Sequence, residues 1–271
     1  MSTTLGGLIK YFRFQKNISQ IEIAIAMGWS EPSRLSRIEQ GLTQKPPREV
    51  LDRLMNVMRL EREECGQLLL VGGYLPTKEE IEQIRKETAP IVDQWNFPAS
   101  VMDFSWRLIF DNQHVYDLFQ IDQNKQKWIR EEFPRIHEIV FEADYILNKN
   151  LTKEERDERN AFNLRMLIHY QYSQRAWIRE KWFLDFLEKM IKNDYFRVLW
   201  SRAKTVNLGN NKIDLANYST KYMIHPDNSE KKLSLYFFIT PVLQDPRFSI
   251  EFHVPADLET YKYFHKKILM I

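Results

Sequence analysis

The sequence predicts an α+β protein: an all-α head of five helices, followed by an antiparallel sheet with helices on one side. Three observations predict it. Residues 5–71 carry apolar stripes at helical spacing, punctuated by glycines. Alternating apolar text, the mark of strands, appears within 104–110 and returns at 248–254, and residues 233–240 are apolar and aromatic. Helical periodicity fills the interval, and strands, then helices, then strands gives a sheet backed by helices.

With 44% hydrophobic and 28% charged residues, the 271-residue chain has the composition of a folded protein of about two domains. A net charge of +2 excludes a polycation. The first fifty residues are more positive: Lys10, Arg13, Lys16, Arg34, Arg37, Lys45 and Arg48 outnumber Glu22, Glu31, Glu39 and Glu49, which suits a duplex partner. Cys65 is the single cysteine, so neither an intramolecular disulfide nor a cysteine zinc cluster is expected. No leader-like segment and no apolar run of membrane-spanning length stand out, so a cytoplasmic protein without membrane insertion is expected.

In chain order, Leu5, Leu8, Ile9 and Phe12 form the inner stripe of a first helix ending near Gln15. Ser19 caps a second helix that opens at Gln20 and carries Ile21, Ala24 and Ile25 as its stripe. Gly28 ends it in a tight turn. Ser30 is placed to cap a third helix, with Leu35 and Ile38 inward and Gly41 as its stop. Two helices joined by a glycine turn make a helix-turn-helix, whose second helix enters the major groove. The outward face of that helix holds Ser33, Ser36, Arg37 and Gln40, with Arg34 on the flank; such side chains donate to base edges and phosphates. The alternative is a helical hairpin with a merely polar face.

A loop containing Gln44 and Lys45 leads through two prolines to a fourth helix over 48–58 and a fifth over 61–71. Gly72, Gly73 and Pro76 close the head at residue 76. Residues 77–90 read as a linker with a polar helix over 78–87.

Leu35-Ser36-Arg37-Ile38-Glu39-Gln40-Gly41, preceded by Ser19-Gln20, resembles the lambda repressor/Cro-type (Xre) DNA-binding domain. One departure is visible: Gly28 to Leu35 is a residue longer than the commonest spacing, with Pro32 in the extra turn. The resemblance implies a lambda-repressor-like head, a double-stranded DNA operator and a homodimer on two half-sites. It also implies a buried pair between Arg13 and Glu39, the alternative for Arg13 being a phosphate contact. The expected DNA-binding set is Gln20, Ser30, Ser33, Arg34, Arg37, Gln44 and Lys45, with Ser33, Arg34 and Arg37 at bases and Gln20, Gln44 and Lys45 at phosphates.

The second domain is expected over 91–271. A strand or tight hairpin falls around Phe104-Ser105, and Asn112 caps a short helix to Phe119. Residues 126–148 and 152–203 read as helical, with Thr152 and Glu155 as a capping box. Strands are expected within 212–224, 233–240 and 248–254, and a last helix over 257–271. Phe97-Pro98-Ala99-Ser100-Val101-Met102-Asp103-Phe104-Ser105-Trp106 resembles the opening of the MmyB-like ligand-binding domain, and Asp194-Tyr195-Phe196-Arg197-Val198-Leu199-Trp200 is similar to a second segment of that family. Asp111-Asn112 departs from its usual Trp-Asn. This resemblance implies a PAS-like fold and a small hydrophobic ligand such as a fatty acid.

The ligand-binding set expected on that basis is Phe110, Phe119, Phe133, Phe141, Phe162, Arg165, Met166, His169, Tyr170 and Phe183. Phe162, Met166, His169, Tyr170 and Ser173 share one helical face, and Arg165 or Arg175 could neutralise a carboxylate. Plain core packing is the alternative for each aromatic ring. The histidines are scattered without metal-ligand spacing, and no nucleophile–base arrangement stands out. Neither a metal, a catalytic residue nor a cofactor is therefore assigned. The expected function is a one-component transcription regulator; the alternatives are a DNA-localised enzyme and a regulator whose second domain only dimerises.

Overall fold

The computed structural model describes residues 4–43, 45–147, 152–205, 220–225 and 228–268. They fall into two compact units: 1–81 with 240–249, and 82–239 with 250–271. The whole is a mixed α+β protein.

The first unit contains α1 (Leu5–Gln15), α2 (Gln20–Ala26), α3 (Ser33–Glu39), α4 (Arg48–Val57) and α5 (Arg62–Val71). Leu8, Ile9, Phe12, Ile23, Leu35 and Leu54 lead its buried core. In α2, Ser19 and Glu22 complete a capping box. The inward stripe of α2 is Ile23, Ala24 and Met27, while Ile21 and Ile25 are 61% and 72% exposed. This corrects the stripe read from the sequence. Both sets satisfy helical spacing, and Met27, at the C-cap, tips the helix toward the phase that buries more apolar surface. Ser30 does not cap α3: Pro32 occupies the N-cap position, with no side-chain cap bond, and its missing N–H costs nothing there. Gly28 and Gly41 end α2 and α3 at φ +71° and +69°, with open space around a notional Cβ; the backbone, not crowding, requires glycine.

Residues 240–249 complete this unit. Arg247 is 2% exposed and grips Asp245 with two bonds, Nε–Oδ1 3.0 Å and Nη2–Oδ2 2.7 Å. Its Nη1 donates to Glu80 Oε2 at 3.1 Å, and Arg48 Nη2 donates to Glu80 Oε1 at 2.7 Å. A Cβ on Gly66 would lie 2.7 Å from Pro246 Cδ, so α5 and this turn approach closely only because residue 66 is glycine.

Helix α6 (Lys78–Gln94) runs through Pro90 and extends beyond the 78–87 helix read from the sequence. Ile84, Thr88 and Val92 are buried while Pro90 is exposed, so water can serve the carbonyl that proline leaves unpaired. In the second unit, β1 (Ala99–Asp103), β2 (Leu108–Asp111), β3 (Thr220–His225), β4 (Asn228–Pro241) and β5 (Phe248–Pro255) form one sheet in the order β2-β1-β5-β4-β3. The β1–β2 and β3–β4 pairs are antiparallel. The text around 104–107 is the hairpin turn, not a continuous strand: Asp103 accepts from the Ser105 and Arg107 backbone amides and from Arg107 Nε, and Trp106 adopts φ +66°. Asn112 joins elements. Its Oδ1 accepts from Ala99 and Val115, and its Nδ2 lies 2.8 Å from the Phe97 carbonyl and 3.1 Å from that of Val92.

Between β2 and β3 lie α7 (Gln113–Leu118), α8 (Gln123–Glu132), α9 (Ile136–Leu147), α10 (Lys153–Ser173), α11 (Lys181–Met190) and α12 (Asp194–Thr205); α13 (Leu258–Ile268) follows β5. Phe141, Tyr170, Phe183, Phe186, Phe196 and Trp200 form the core of α9–α12. Residues 212–219 of the strands expected within 212–224, and the Glu155 side chain of the expected capping box, lie outside the described residues.

Candidate functional site

Helix α3 is two turns long, and its two faces differ in kind. Leu35, Ile38 and Glu39 are buried, whereas Ser33, Arg34, Arg37 and Gln40 are exposed and Ser36 is half-buried. The buried glutamate is fully used. Arg13 Nε donates to Glu39 Oε1 at 2.6 Å and Arg13 Nη2 to Oε2 at 3.0 Å, while Gln20 Nε2 adds a bond to Oε2 at 2.8 Å. Arg13 Nη1 also reaches the Ile18 carbonyl, 3.1 Å away. One carboxylate therefore ties together α1, the start of α2 and α3, which sets the angle at which α3 is presented.

On the exposed face, Gln40 Nε2 donates to Ser36 Oγ at 2.8 Å, and Ser33 Oγ donates to Glu31 Oε2 at 3.0 Å. The Arg34 guanidinium lies 4.7 Å over the Trp29 ring, a cation–π contact that holds it beside the helix. The Arg37 guanidinium makes no ion pair among the described residues. This is a set of donors on an exposed helix, with one cation uncommitted.

The remaining members of the expected DNA-binding set are placed differently. Gln20 is drawn into the Glu39 cluster. Lys45 Nζ donates to the Gly73 carbonyl at 3.3 Å and sits 4.0 Å from the Tyr74 ring centroid, closing the loop onto the end of α5. Ser30 is exposed in the turn. Gln44 lies outside the described residues.

In the second unit, Phe141, Met166, Tyr170 and Phe183 of the expected ligand-binding set meet in one buried cluster, with Phe162 packed on its edge. His169 joins it through Trp106, at 5.4 Å between ring centroids. Four members lie apart. Phe119 is 46% exposed, Arg165 is exposed, Phe133 is the left-handed C-cap of α8, and Phe110 lies on β2 with the Arg85 guanidinium 5.6 Å above its ring. Two residues outside the expected set, His137 and Arg135, lie at the centre. His137 is fully buried, stacks on Trp106 at 5.3 Å and lies 4.3 Å from the Tyr170 ring. Arg135, two positions earlier, lies over Phe186 and Trp182 at 4.8 and 5.2 Å. Only the pairing of Trp106 with Asp103 in the opening motif hinted at any of this.

Burial, and secondarily the Arg135 charge, pushes His137 down to about 3, so its ring is neutral at physiological pH. Burial raises the Tyr170 hydroxyl and lowers His169. On the sheet, burial raises the Asp111 carboxyl to about 6, although Ser100 Oγ donates to it at 2.5 Å. Among the described residues, no group of three His, Cys, Asp or Glu side chains could hold a metal ion, and no helix is long and apolar enough to cross a membrane.

No curated protein matches the chain. Residues 4–68, which contain all of α1–α4 and most of α5, match a family described as a helix-turn-helix domain, and the chain thus carries a helix-turn-helix head of the kind found in DNA-binding regulators.

Proposed function

We propose that the protein is a one-component transcription regulator that binds a DNA operator as a homodimer and answers to a small ligand in its second unit. The observation that carries the reading is the two-faced α3: Leu35, Ile38 and Glu39 anchor it, while Ser33, Arg34, Arg37 and Gln40 stand exposed. Arg37 is the base-reading residue of this scheme, because an uncommitted guanidinium offers two parallel donors to a guanine edge. Arg34 orients on the duplex beside it. One α3 covers a half-site, so a two-fold operator and a dimer follow.

The sensor half of the reading is supported by the aromatic cluster of α9–α12 and by its resemblance to the MmyB-like, PAS-like domain, from which a fatty acid is the expected ligand. For the ligand to act as a switch, it must bind one arrangement of the protein better than another. Selection of bound duplexes from a random DNA pool tests the reading. Enrichment of a two-fold-related sequence is the expected result. Recovery of no preferred sequence by the full chain, with or without added fatty acid, would contradict it.

A further inference from the structure

We propose that the α9–α12 cluster takes an aromatic carboxylate, anchored by Arg135; this rests on the sensor reading and puts an aromatic acid in place of the fatty acid as its ligand. The first ground is charge. The other inward-reaching arginines each hold a carboxylate: Arg13 with Glu39 at 2.6 Å, Arg48 with Glu80 at 2.7 Å, Arg107 with Asp103 at 2.6 Å, and Arg247 with Asp245 at 2.7 Å. Arg135 has no acidic side-chain partner among the described residues, and its Nε is buried without a hydrogen-bond partner. A guanidinium held in such surroundings is a site for an anion, and its planar fork matches a carboxylate.

The second ground is what surrounds it. Both ring nitrogens of the fully buried His137, whose charge Arg135 opposes, lack hydrogen-bond partners, as does the Tyr170 hydroxyl beside them. Native proteins rarely leave such groups unmet. A neutral imidazole offers one donor and one acceptor, so with Arg135 it can hold a carboxylate and one further polar atom. The Tyr170 hydroxyl neighbours the same guanidinium.

The third ground is shape. Around these polar atoms stand ring faces and edges: Trp106 at 5.3 Å from His137, Phe186 at 5.9 Å, and Trp182 beneath Arg135. Flat rings stack on such walls, whereas a flexible acyl chain gains only burial and loses more conformational freedom. Arg135 and Trp182 are half-buried, so the acid group reaches the guanidinium from solvent while the ring points toward His137.

The test uses the full chain and isothermal titration calorimetry. Indole-3-acetate is titrated against 3-methylindole, which lacks the carboxylate, and against decanoate, which lacks the ring. The proposal expects saturable binding of indole-3-acetate that is about tenfold or more tighter than either control. Arg135→Gln should remove that advantage without lowering the melting temperature of the free protein, and Arg135→Lys should restore part of it. Decanoate binding tighter than indole-3-acetate, unchanged by Arg135→Gln, would overturn the aromatic acid while leaving a fatty-acid sensor standing. Binding of no probe at millimolar concentration would overturn the proposal and the sensor reading together.

Discussion

Arg247 donates to Glu80 across 167 positions of sequence, through Nη1 to Oε2 at 3.1 Å, with Nη2 2.9 Å from Oε1. Glu80 also takes Arg48 and caps the start of α6 through the Thr77 amide. Burial alone would raise the Glu80 carboxyl, but the bonds from Arg247 and Arg48 outweigh it and bring it down to about 2. The turn carrying Arg247 belongs to the same compact unit as the helix-turn-helix, and the strands running into it, β4 and β5, belong to the sheet. Chain continuity thus gives the sheet a covalent route to the head.

Replacing Arg247 by leucine leaves Asp245 and Glu80 facing each other without their shared cation. Removing one side of a buried ionic cluster costs about 3–5 kcal/mol, so Arg247→Leu should lower the urea midpoint of the first unit sharply. The Glu80 contribution to stability is present at neutral pH and is lost as pH falls from its unfolded value near 4.5 toward 2. An unchanged urea midpoint in Arg247→Leu would show the cluster to be ornamental.

Glu39→Ala should unfold the head rather than merely weaken DNA binding. It strands Arg13, which is 6% exposed, and takes a partner from Gln20. The expected loss is again about 3–5 kcal/mol. Circular dichroism melting checks it; a wild-type transition would contradict the structural role given to this pair.

Asp111 makes a prediction of opposite sign. Its folded carboxyl is raised from 3.8 to about 6 by burial, so folding favours the protonated acid. The native state therefore loses stability as pH rises from about 4 to 6 and regains none above that. Asp111→Asn, which keeps an oxygen for the Ser100 hydroxyl, should stabilise the protein by about 1–3 kcal/mol at pH 8. At pH 4 it should do little. Equal effects at both pH values, measured by chemical denaturation, would rule out a buried charge as the cause.

Local patterns revealed the head well, because capping residues and glycine stops act within a few positions of themselves: Ser19, Gly28 and Gly41 all end or begin helices where their chemistry demands. They failed where packing chose between equal patterns, as with Ile21 and Ile23 in α2. The polar helix read over 78–87 stopped short of Pro90, yet an exposed proline is tolerated when Ile84 and Val92 hold the helix from its other side. The Arg247 cluster carried no local signal at all, since its members are brought together only by the tertiary fold. The ligand-binding set was legible in part. Tyr170, Met166 and Phe183 share a core because one helical face faces another, but Arg135 sits in the break between α8 and α9, inside a stretch that periodicity reads as one helix over 126–148.

In the proposed scheme, α3 reads DNA through Arg37. The most direct measurement is the affinity of wild type and Arg37→Ala for a selected operator and for unrelated duplex, at one fixed salt concentration. Arg37→Ala should lose about 1–3 kcal/mol on the operator, change much less on unrelated DNA, and keep an unaltered melting temperature. Equal operator affinity of the two proteins would contradict it.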